Sequence, residues 1–125
     1  MHEPGAPVDV AIAFTEAWTS QDMPTASMYV AEEVAFEGPM SHAAGIAAFL
    51  DGLSRFAKAV TGLEILAALG DDERAMIMYE LTTGPFGTLR AAEDLVISDG
   101  KITRDTLVFD THKVRSAQGA SAPAG

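Results

Sequence analysis

Two acidic residues, Glu93 and Asp105, interrupt otherwise apolar, alternating segments on either side of an Asp99-Gly100 pair. An Asp-Gly pair between two such segments is typical of a β-hairpin turn. Two carboxyl groups that share an apolar pocket cannot both ionise cheaply, so one of them is expected to keep its proton at neutral pH. A carboxylic acid beside a carboxylate can both give and take a proton. We therefore predict Asp105 and Glu93 as the catalytic residues of an acid–base reaction.

The register of this hairpin decides which side chains share a face of the sheet. With a three-residue loop and Gly100 as a bulge, Glu93 pairs with Asp105, and Asp94 pairs with Arg104. With a two-residue loop, Asp94 faces Asp105 instead. Both registers place a carboxylate opposite Asp105, which destabilises a sheet. The first register is favoured because it gathers the large apolar residues on the pocket face. The alternative interpretation of the pair is a solvated rim of the sheet.

Aromatic and apolar side chains elsewhere in the chain could line the pocket. Tyr79 falls on the strand face opposite Met76 and Met78, so its hydroxyl could reach a ligand. His42 lies in a loop near the expected mouth of the pocket. Buried aromatic residues are also what an ordinary core requires, so pocket contact and core packing are alternatives for them. The predicted substrate-binding residues are Phe14, Trp18, Phe36, Tyr79, Leu107, Phe109 and His42.

Motifs for metals and cofactors do not occur in the sequence. His2, His42 and His112 show neither the HxH nor the HExxH spacing of metal ligands. No phosphate-binding glycine motif and no GxSxG elbow are found. We therefore expect no metal and no cofactor, and a small apolar metabolite as the ligand of the pocket.

The composition restricts the classes of partner. The chain has 125 residues, enough for one domain with one core, and it carries 18 acidic against 8 basic residues, a formal charge of −10. Such a charge repels nucleic acid and anionic membranes. No run of apolar residues is long enough for a membrane span, and the N-terminus is not expected to be a secretory signal. Because the chain has no cysteine, a cytoplasmic location is the simplest expectation.

The hydrophobic pattern predicts helices first and strands afterwards. Apolar residues at three- and four-residue steps favour helices over 8–19, 23–30 and 46–60, with Asp22 as the cap of the second. Residues 41–45 are expected to be a loop. Residues 1–7 are expected to be a flexible lead-in and 115–125 a disordered tail, which leaves 8–114 as a single α+β domain. Alternating segments favour strands over 34–37, 63–69, 74–83, 88–97 and 101–109.

Three stretches in this order resemble the NTF2-like superfamily, which includes ketosteroid isomerases, SnoaL-like polyketide cyclases and limonene epoxide hydrolases. The resemblance covers about 8–110 and implies a cone in which three N-terminal helices pack on a curved antiparallel sheet that encloses a pocket. The stretches are 14–22, a helix that runs into a polar break; 36–39 followed by 45–49; and 99–102 leading to 108–110.

The resemblance also bears on assembly. Related folds commonly pair through the outer face of the sheet, and an apolar outer face is unfavourable in water. We therefore expect a homodimer. The residues expected on that face are Ala92, Val96, Ile102, Thr106 and Val108.

Departures from the active sites of the family bear on function. The positions that resemble the base, the tyrosine and the second acid of ketosteroid isomerases hold Gly38, Phe14 and Glu93, so that activity is rejected. The last aspartate of the limonene epoxide hydrolase site corresponds to Leu107. Our leading hypothesis is a cofactor-independent enzyme that isomerises, cyclises or opens the epoxide of a small, largely apolar metabolite. The alternative is a non-catalytic domain that binds a small molecule or dimerises, since the fold does not select among these.

Overall fold

Six strands and four helices make up residues 6–121, the part of the chain that a computed structural model describes. The strands form a single sheet in the order β2-β1-β6-β5-β4-β3, and the hydrophobic core lies between this sheet and the helices. In chain order the elements are α1 (Pro7–Thr19), α2 (Met23–Ser27), β1 (Val30–Glu37), β2 (His42–Ala44), α3 (Ile46–Ala57), β3 (Val60–Gly70), β4 (Arg74–Thr83), β5 (Gly87–Ser98), β6 (Lys101–Phe109) and α4 (His112–Ser121).

The N-terminal helices form where the local sequence favours them. Pro7 opens α1, where its fixed φ suits the first turn, and Phe14 and Trp18 on this helix are buried in the core. The predicted cap of α2 is confirmed, because the Thr25 backbone N–H donates to the Asp22 carboxylate at 3.2 Å. No helix within the described residues is long and apolar enough to cross a membrane.

Two helices end earlier than predicted because the chain enters a strand. Val30 and Val60 begin β1 and β3, so α2 stops at Ser27 and α3 stops at Ala57. Branched residues of this kind suit a sheet better than the last turn of a helix. The expected loop over 41–45 contains the short strand β2, which pairs with the end of β1. Strands β4, β5 and β6 begin and end within one residue of their predicted bounds.

The expectation of a wholly antiparallel sheet is wrong, because β1 runs parallel to β6. Parallel neighbours need a long connection, which α3 and the three strands after it supply here. Bulges in β3 and β6 interrupt the ladders and bend these strands, so the mixed sheet curves around the core. The expected count of three N-terminal helices is not confirmed either, because the described residues hold four helices, of which α3 follows β1 and β2 and α4 follows β6.

The two-residue loop considered for the β5–β6 hairpin is right at the turn, where Ser98 pairs with Lys101 and Ile97 with Ile102, but neither predicted register holds beyond it. Asp99 and Gly100 form a two-residue turn with φ angles of 52° and 75°, the positive values that such hairpin turns need. The ladder then shifts at Thr103, an extra residue on β6 whose hydroxyl donates to the Val96 carbonyl at 3.2 Å. The tight turn and the bulge together shift the pairing of β6 with β5 by one residue from the register predicted for a two-residue loop.

This register keeps both catalytic candidates on the inner face, the face of the sheet that packs on the core. Glu93 pairs with Leu107, and Asp105 pairs with Leu95. The two carboxyl groups are therefore diagonal neighbours, and the expectation that Asp105 stands directly opposite a carboxylate is wrong. Side chains that are diagonal neighbours in a ladder can still touch each other. The residue directly opposite each of the two acids is a leucine.

The bulge also changes the opposite, outer face of the sheet. Asp94 makes an ion pair with Arg74 of β4 at 3.0 Å, and the predicted pairing with Arg104 is wrong because Arg104 lies opposite Val96. Ile102, expected on this outer face, is fully buried in the core instead. The extra residue, Thr103, lies between Ile102 and the rest of β6, so the Ile102 side chain points to the inner face and not to the outer face.

Helix α4 occupies much of the segment expected to be a disordered tail. It is attached to the sheet because the Lys113 ammonium donates to the Thr88 carbonyl at 2.8 Å and Val114 is buried. The expected disorder from residue 115 is therefore wrong as far as the helix extends. Residues 1–5 and 122–125 lie outside the described residues, and Pro7, assigned to the lead-in, belongs to α1.

Candidate active site

A cavity of about 590 Å³ opens between the inner face of the sheet, α3 and α4. Strands β4, β5 and β6 supply one wall, α3 supplies another, and the β1–β2 turn lies at the mouth. An aromatic enclosure of this size suits a largely apolar ligand. Seven aromatic side chains line the cavity: Trp18, Phe36, Phe49, Phe56, Tyr79, Phe86 and Phe109.

Glu93 is the acidic side chain of the sheet that reaches this cavity, although it is only 4% exposed. The Tyr79 hydroxyl, on the neighbouring strand, donates to Glu93 Oε1 at 2.6 Å. Tyr79 pairs with Ala91, so this hydrogen bond crosses the ladder diagonally on the inner face. Burial, followed by the charge of Glu93, raises the pKa of Tyr79 well above its usual value. The phenol therefore stays protonated and acts as a donor.

Asp105 contacts Glu93 but lies off the cavity wall, and it is 1% exposed. Neither carboxylate oxygen has a hydrogen-bond donor among the described residues. Burial raises the pKa of Asp105 well above its usual value, and the charge of Glu93 and a hydrogen bond with Glu93 raise it further. An ionised Asp105 would have no donor, whereas a neutral one can donate to Glu93. Burial and the contact with Glu93 therefore both favour the protonated form of Asp105.

The predicted binding residues divide between the cavity wall and the core. Phe14 lies in the core, where it stacks on Phe49 with ring centroids 6.0 Å apart. The others lie on the wall: Trp18, Phe36, Tyr79, Leu107, Phe109 and His42.

Sequence reasoning missed the part that α3 and α4 play in the cavity. Phe49, Leu53 and Phe56 follow one another at three- and four-residue steps and line the wall. Their spacing marks an apolar helix face in the sequence, but it does not reveal that part of this face borders an open space. Phe86, from the β4–β5 turn, stacks on Phe56 at 6.0 Å, and Val114 of α4 completes the wall. No signal in the sequence points to these last two residues.

The mouth of the cavity carries exposed polar side chains. Ser41 and His42 lie on the β1–β2 hairpin, and Asp51 and Arg55 on α3 form an ion pair at 2.9 Å. Exposed pairs of this kind contribute little to stability. Within residues 6–121, no group of three or more His, Asp or Glu side chains is placed to hold a metal ion.

Comparison with models of protein families gives one match. The model of the SnoaL-like domain matches residues 11–105. The protein therefore belongs to the SnoaL-like family. A search of curated proteins finds no match. Family membership establishes the fold and does not select an activity.

Solved structures show the same architecture. A protein from Kribbella flavida DSM 17836 is 34% identical, with a TM-score of 0.88, and the match covers 92% of this chain and 95% of that one. An NTF2-like protein of unknown function from Cytophaga hutchinsonii is 18% identical, with a TM-score of 0.73 over 86% and 92% of the two chains. An LEH-like epoxide hydrolase from M. tuberculosis is 19% identical, with a TM-score of 0.73 over 88% and 86%. These last two show the fold alone.

Proposed function

We propose that this protein is a cofactor-independent enzyme that moves a proton on a small, largely apolar metabolite, in an isomerisation, a cyclisation or an epoxide opening. The observation that supports the proposal is an acidic pair at an aromatic cavity, with Glu93 on the wall and Asp105, whose pKa is raised by burial, against it. A buried negative charge is costly to the fold, so its presence beside an open space calls for a functional reason.

Glu93 is the catalytic group in this proposal because it is the member of the pair that a ligand can touch. Asp105 acts through Glu93 as a positioning residue, because its proton can hold the Glu93 carboxylate in one orientation. The Tyr79 hydroxyl holds the same carboxylate from the neighbouring strand. A base supported by two donors keeps one geometry toward the cavity, which proton transfer requires.

A ketone that fits the cavity tests proton transfer without knowledge of the natural substrate. Hydrogens beside the carbonyl of 1-tetralone exchange with D₂O, and proton NMR follows their loss. We expect the wild-type protein to accelerate this exchange and Glu93→Gln to slow it by about 10²-fold or more. Asp94→Asn is the matched control and should keep the wild-type rate, because Asp94 lies on the outer face and pairs with Arg74.

Epoxide opening is tested with the same variants, by the incorporation of labelled oxygen from water into the diol formed from styrene oxide. A rate that depends on Glu93 in either assay supports the enzyme. Equal rates for the wild type and Glu93→Gln in both assays, with the ketone bound to both proteins, would assign the alternative function, a non-catalytic domain that binds small molecules.

We also propose that the protein is a cytoplasmic homodimer joined through the outer faces of two sheets. An apolar row crosses this face from β3 to β6, and its end at Val108 is 57% exposed. Ion pairs flank the row, Arg74 with Asp94 and Arg90 with Glu80. Their charges cancel locally in a chain of net charge −10, so two copies could approach here without strong repulsion. The row consists of Ala67, Met78, Ala92 and Val108.

A further inference from the structure

Glu93 keeps one carboxylate oxygen available to the cavity. Its Oε1 accepts the Tyr79 hydroxyl, whereas Oε2 accepts no hydrogen bond from the described residues. Oε2 is also not among the enclosed, unpartnered atoms of this part of the chain, which include both carboxylate oxygens of Asp105. Because Glu93 lines the cavity, the small exposed part of its side chain faces that space. A carboxylate has about four acceptor positions, and Tyr79 and a protonated Asp105 use only two of them.

No basic side chain among the described residues forms an ion pair with Glu93. Residues 6–121 contain three ion pairs, and Glu93 takes part in none of them. Arg55 lines the mouth of the cavity, but it is exposed and pairs with Asp51. His42, the other basic side chain of the lining, is exposed at the same mouth. The buried end of the cavity therefore holds an acidic group without a counter-ion from the described part of the chain.

Two aromatic rings flank the space in front of Glu93. Ala91, two residues before Glu93 on β5, pairs with Tyr79 on β4 and with Phe109 on β6. The side chains of all four residues line the cavity, so each ring is a diagonal neighbour of Glu93 on the inner face. Since the Ala91 side chain is a single methyl group, a small group of a ligand can lie over it, between the two rings and beside the carboxylate.

We infer that the cavity binds a protonated organic amine, whose ammonium group lies over Ala91 and donates to Glu93 Oε2 while its apolar body contacts the aromatic wall. A cation is attracted to the faces of aromatic rings as well as to a carboxylate. The fold has already removed Glu93 from water, so the pairing adds only the desolvation of the ammonium group. The formal charge of −10 also favours the approach of a cation.

This inference rests on the proposed use of the cavity as a ligand site and adds the charge of the ligand. It does not depend on turnover. An ammonium group at Oε2 occupies the carboxylate that the proposed reaction uses as a base. An amine that is not itself a substrate should therefore inhibit the exchange of the 1-tetralone hydrogens.

The test compares three ligands with one bicyclic skeleton: 2-aminotetralin, a cation at pH 7; the neutral alcohol 2-tetralol; and the anion of tetralin-2-carboxylic acid. Calorimetric titration should show that the amine binds about tenfold more tightly than the alcohol, because a charge-assisted hydrogen bond is about twice as strong as a neutral one. The anion should bind more weakly than either. The amine should also displace 1-tetralone, which assigns its site to the cavity, and its preference should persist at high salt because a buried pair is screened little.

Glu93→Gln removes the charge and keeps the shape of the side chain and an acceptor oxygen. We expect this variant to bind the amine and the alcohol about equally, and its unchanged affinity for the alcohol would show that the cavity is intact. Asp94→Asn is the matched control, because it makes the same change of charge one residue further along β5, on the outer face. It should keep the wild-type preference for the amine.

Two results would overturn the inference: a wild-type protein that binds the amine no more tightly than the alcohol, or a Glu93→Gln variant that retains the preference. Neither measurement involves catalysis. A wild-type protein that prefers the amine but does not exchange the 1-tetralone hydrogens would uphold the inference and reject the proposed enzyme. Exchange that depends on Glu93 without a preference for the amine would do the reverse.

Discussion

Glu93 and Asp105 stand diagonally across the β5–β6 ladder, and only Glu93 reaches the cavity. The backbone partner of each is a leucine, Leu107 for Glu93 and Leu95 for Asp105. Each carboxyl group is thus separated from solvent by apolar neighbours while remaining within reach of the other. This arrangement places one acid at the cavity and the other behind it.

Asp105→Asn tests where that proton resides. Folding raises the pKa of Asp105 above the value of 3.8 expected in an unfolded chain, so the folded state retains a proton that the unfolded state loses. Stability from this group is complete below about pH 4 and falls as the pH rises toward the folded pKa. Asparagine does not titrate. We expect the variant to match or exceed the wild type in urea unfolding at pH 7 and to gain on it between pH 5 and pH 7.

The same variant should lower any activity that depends on Glu93, because an amide in place of the carboxyl group changes the donor that orients the Glu93 carboxylate. Stability and activity would then move in opposite directions, as they do where a site is maintained at a cost to the fold. An Asp105→Asn protein that is clearly less stable than the wild type at pH 7 would show that Asp105 is an ionised structural anion.

Tyr79→Phe removes the hydroxyl that holds Glu93. A hydrogen bond to a charged group contributes about 1.5–3 kcal/mol, and the buried carboxylate would be left short of a donor. We expect urea unfolding at pH 7 to show a loss of that size. Tyr29→Phe is the control, since Tyr29 lies away from the cavity wall, and it should change stability by less than about 0.5 kcal/mol. Equal losses in the two variants would contradict a special role for the Tyr79 hydroxyl.

Phe14→Ala and Phe86→Ala separate the core from the cavity wall. Phe14 is fully buried and stacks on Phe49, so its truncation should cost about 3–5 kcal/mol of stability. Phe86 is half-buried at a turn and lines the cavity. We expect its truncation to cost far less stability and to weaken 1-tetralone binding more. Thermal unfolding and calorimetry measure both effects, and the reverse ranking would place Phe14 at the ligand.

Met78→Lys tests the proposed dimer, because Met78 lies within the apolar row of the outer face. A charge there cannot be buried without a partner, so two sheets would no longer pack together. We expect light scattering at micromolar concentration to give a dimer mass for the wild type and a monomer mass for the variant. Met28→Lys changes an exposed methionine of a different part of the surface and should remain dimeric. A monomeric wild type would refute the proposal directly.

Local patterns in the sequence predicted the type and order of most elements. Asp22 marks a helix start because its side chain can cap the first turn, and alternation marks β4 and β6 to the residue. The same alternation placed Glu93 and Asp105 on one face of the sheet. A register shift of two residues leaves every side chain on the same face, so this prediction did not require the exact pairing. The exact pairing could not be predicted, since the shift at Thr103 leaves little trace in residue type.

Local sequence patterns could not predict the long-range contacts of the fold, for a physical reason. The parallel contact of β1 with β6 and the docking of α4 by Lys113 and Val114 depend on surfaces that exist only after the sheet has formed. The open space beside α3 likewise depends on surfaces that exist only after the sheet has formed. Phe49 on the wall and Phe14 in the core are indistinguishable in the sequence, because both are aromatic residues on the apolar side of a helix.

The place of β1 in the sheet has a consequence for the order of folding. β1 is the first long strand to leave the ribosome, yet one of its two edges finds its partner only when β6, the last strand, has been made. The meander from β3 to β5 can assemble earlier from contacts between consecutive segments, whereas closure of the sheet joins distant parts of the chain and is slow. The acidic pair spans the β5–β6 hairpin, which also joins consecutive segments, so Glu93 and Asp105 can meet before β1 closes the sheet.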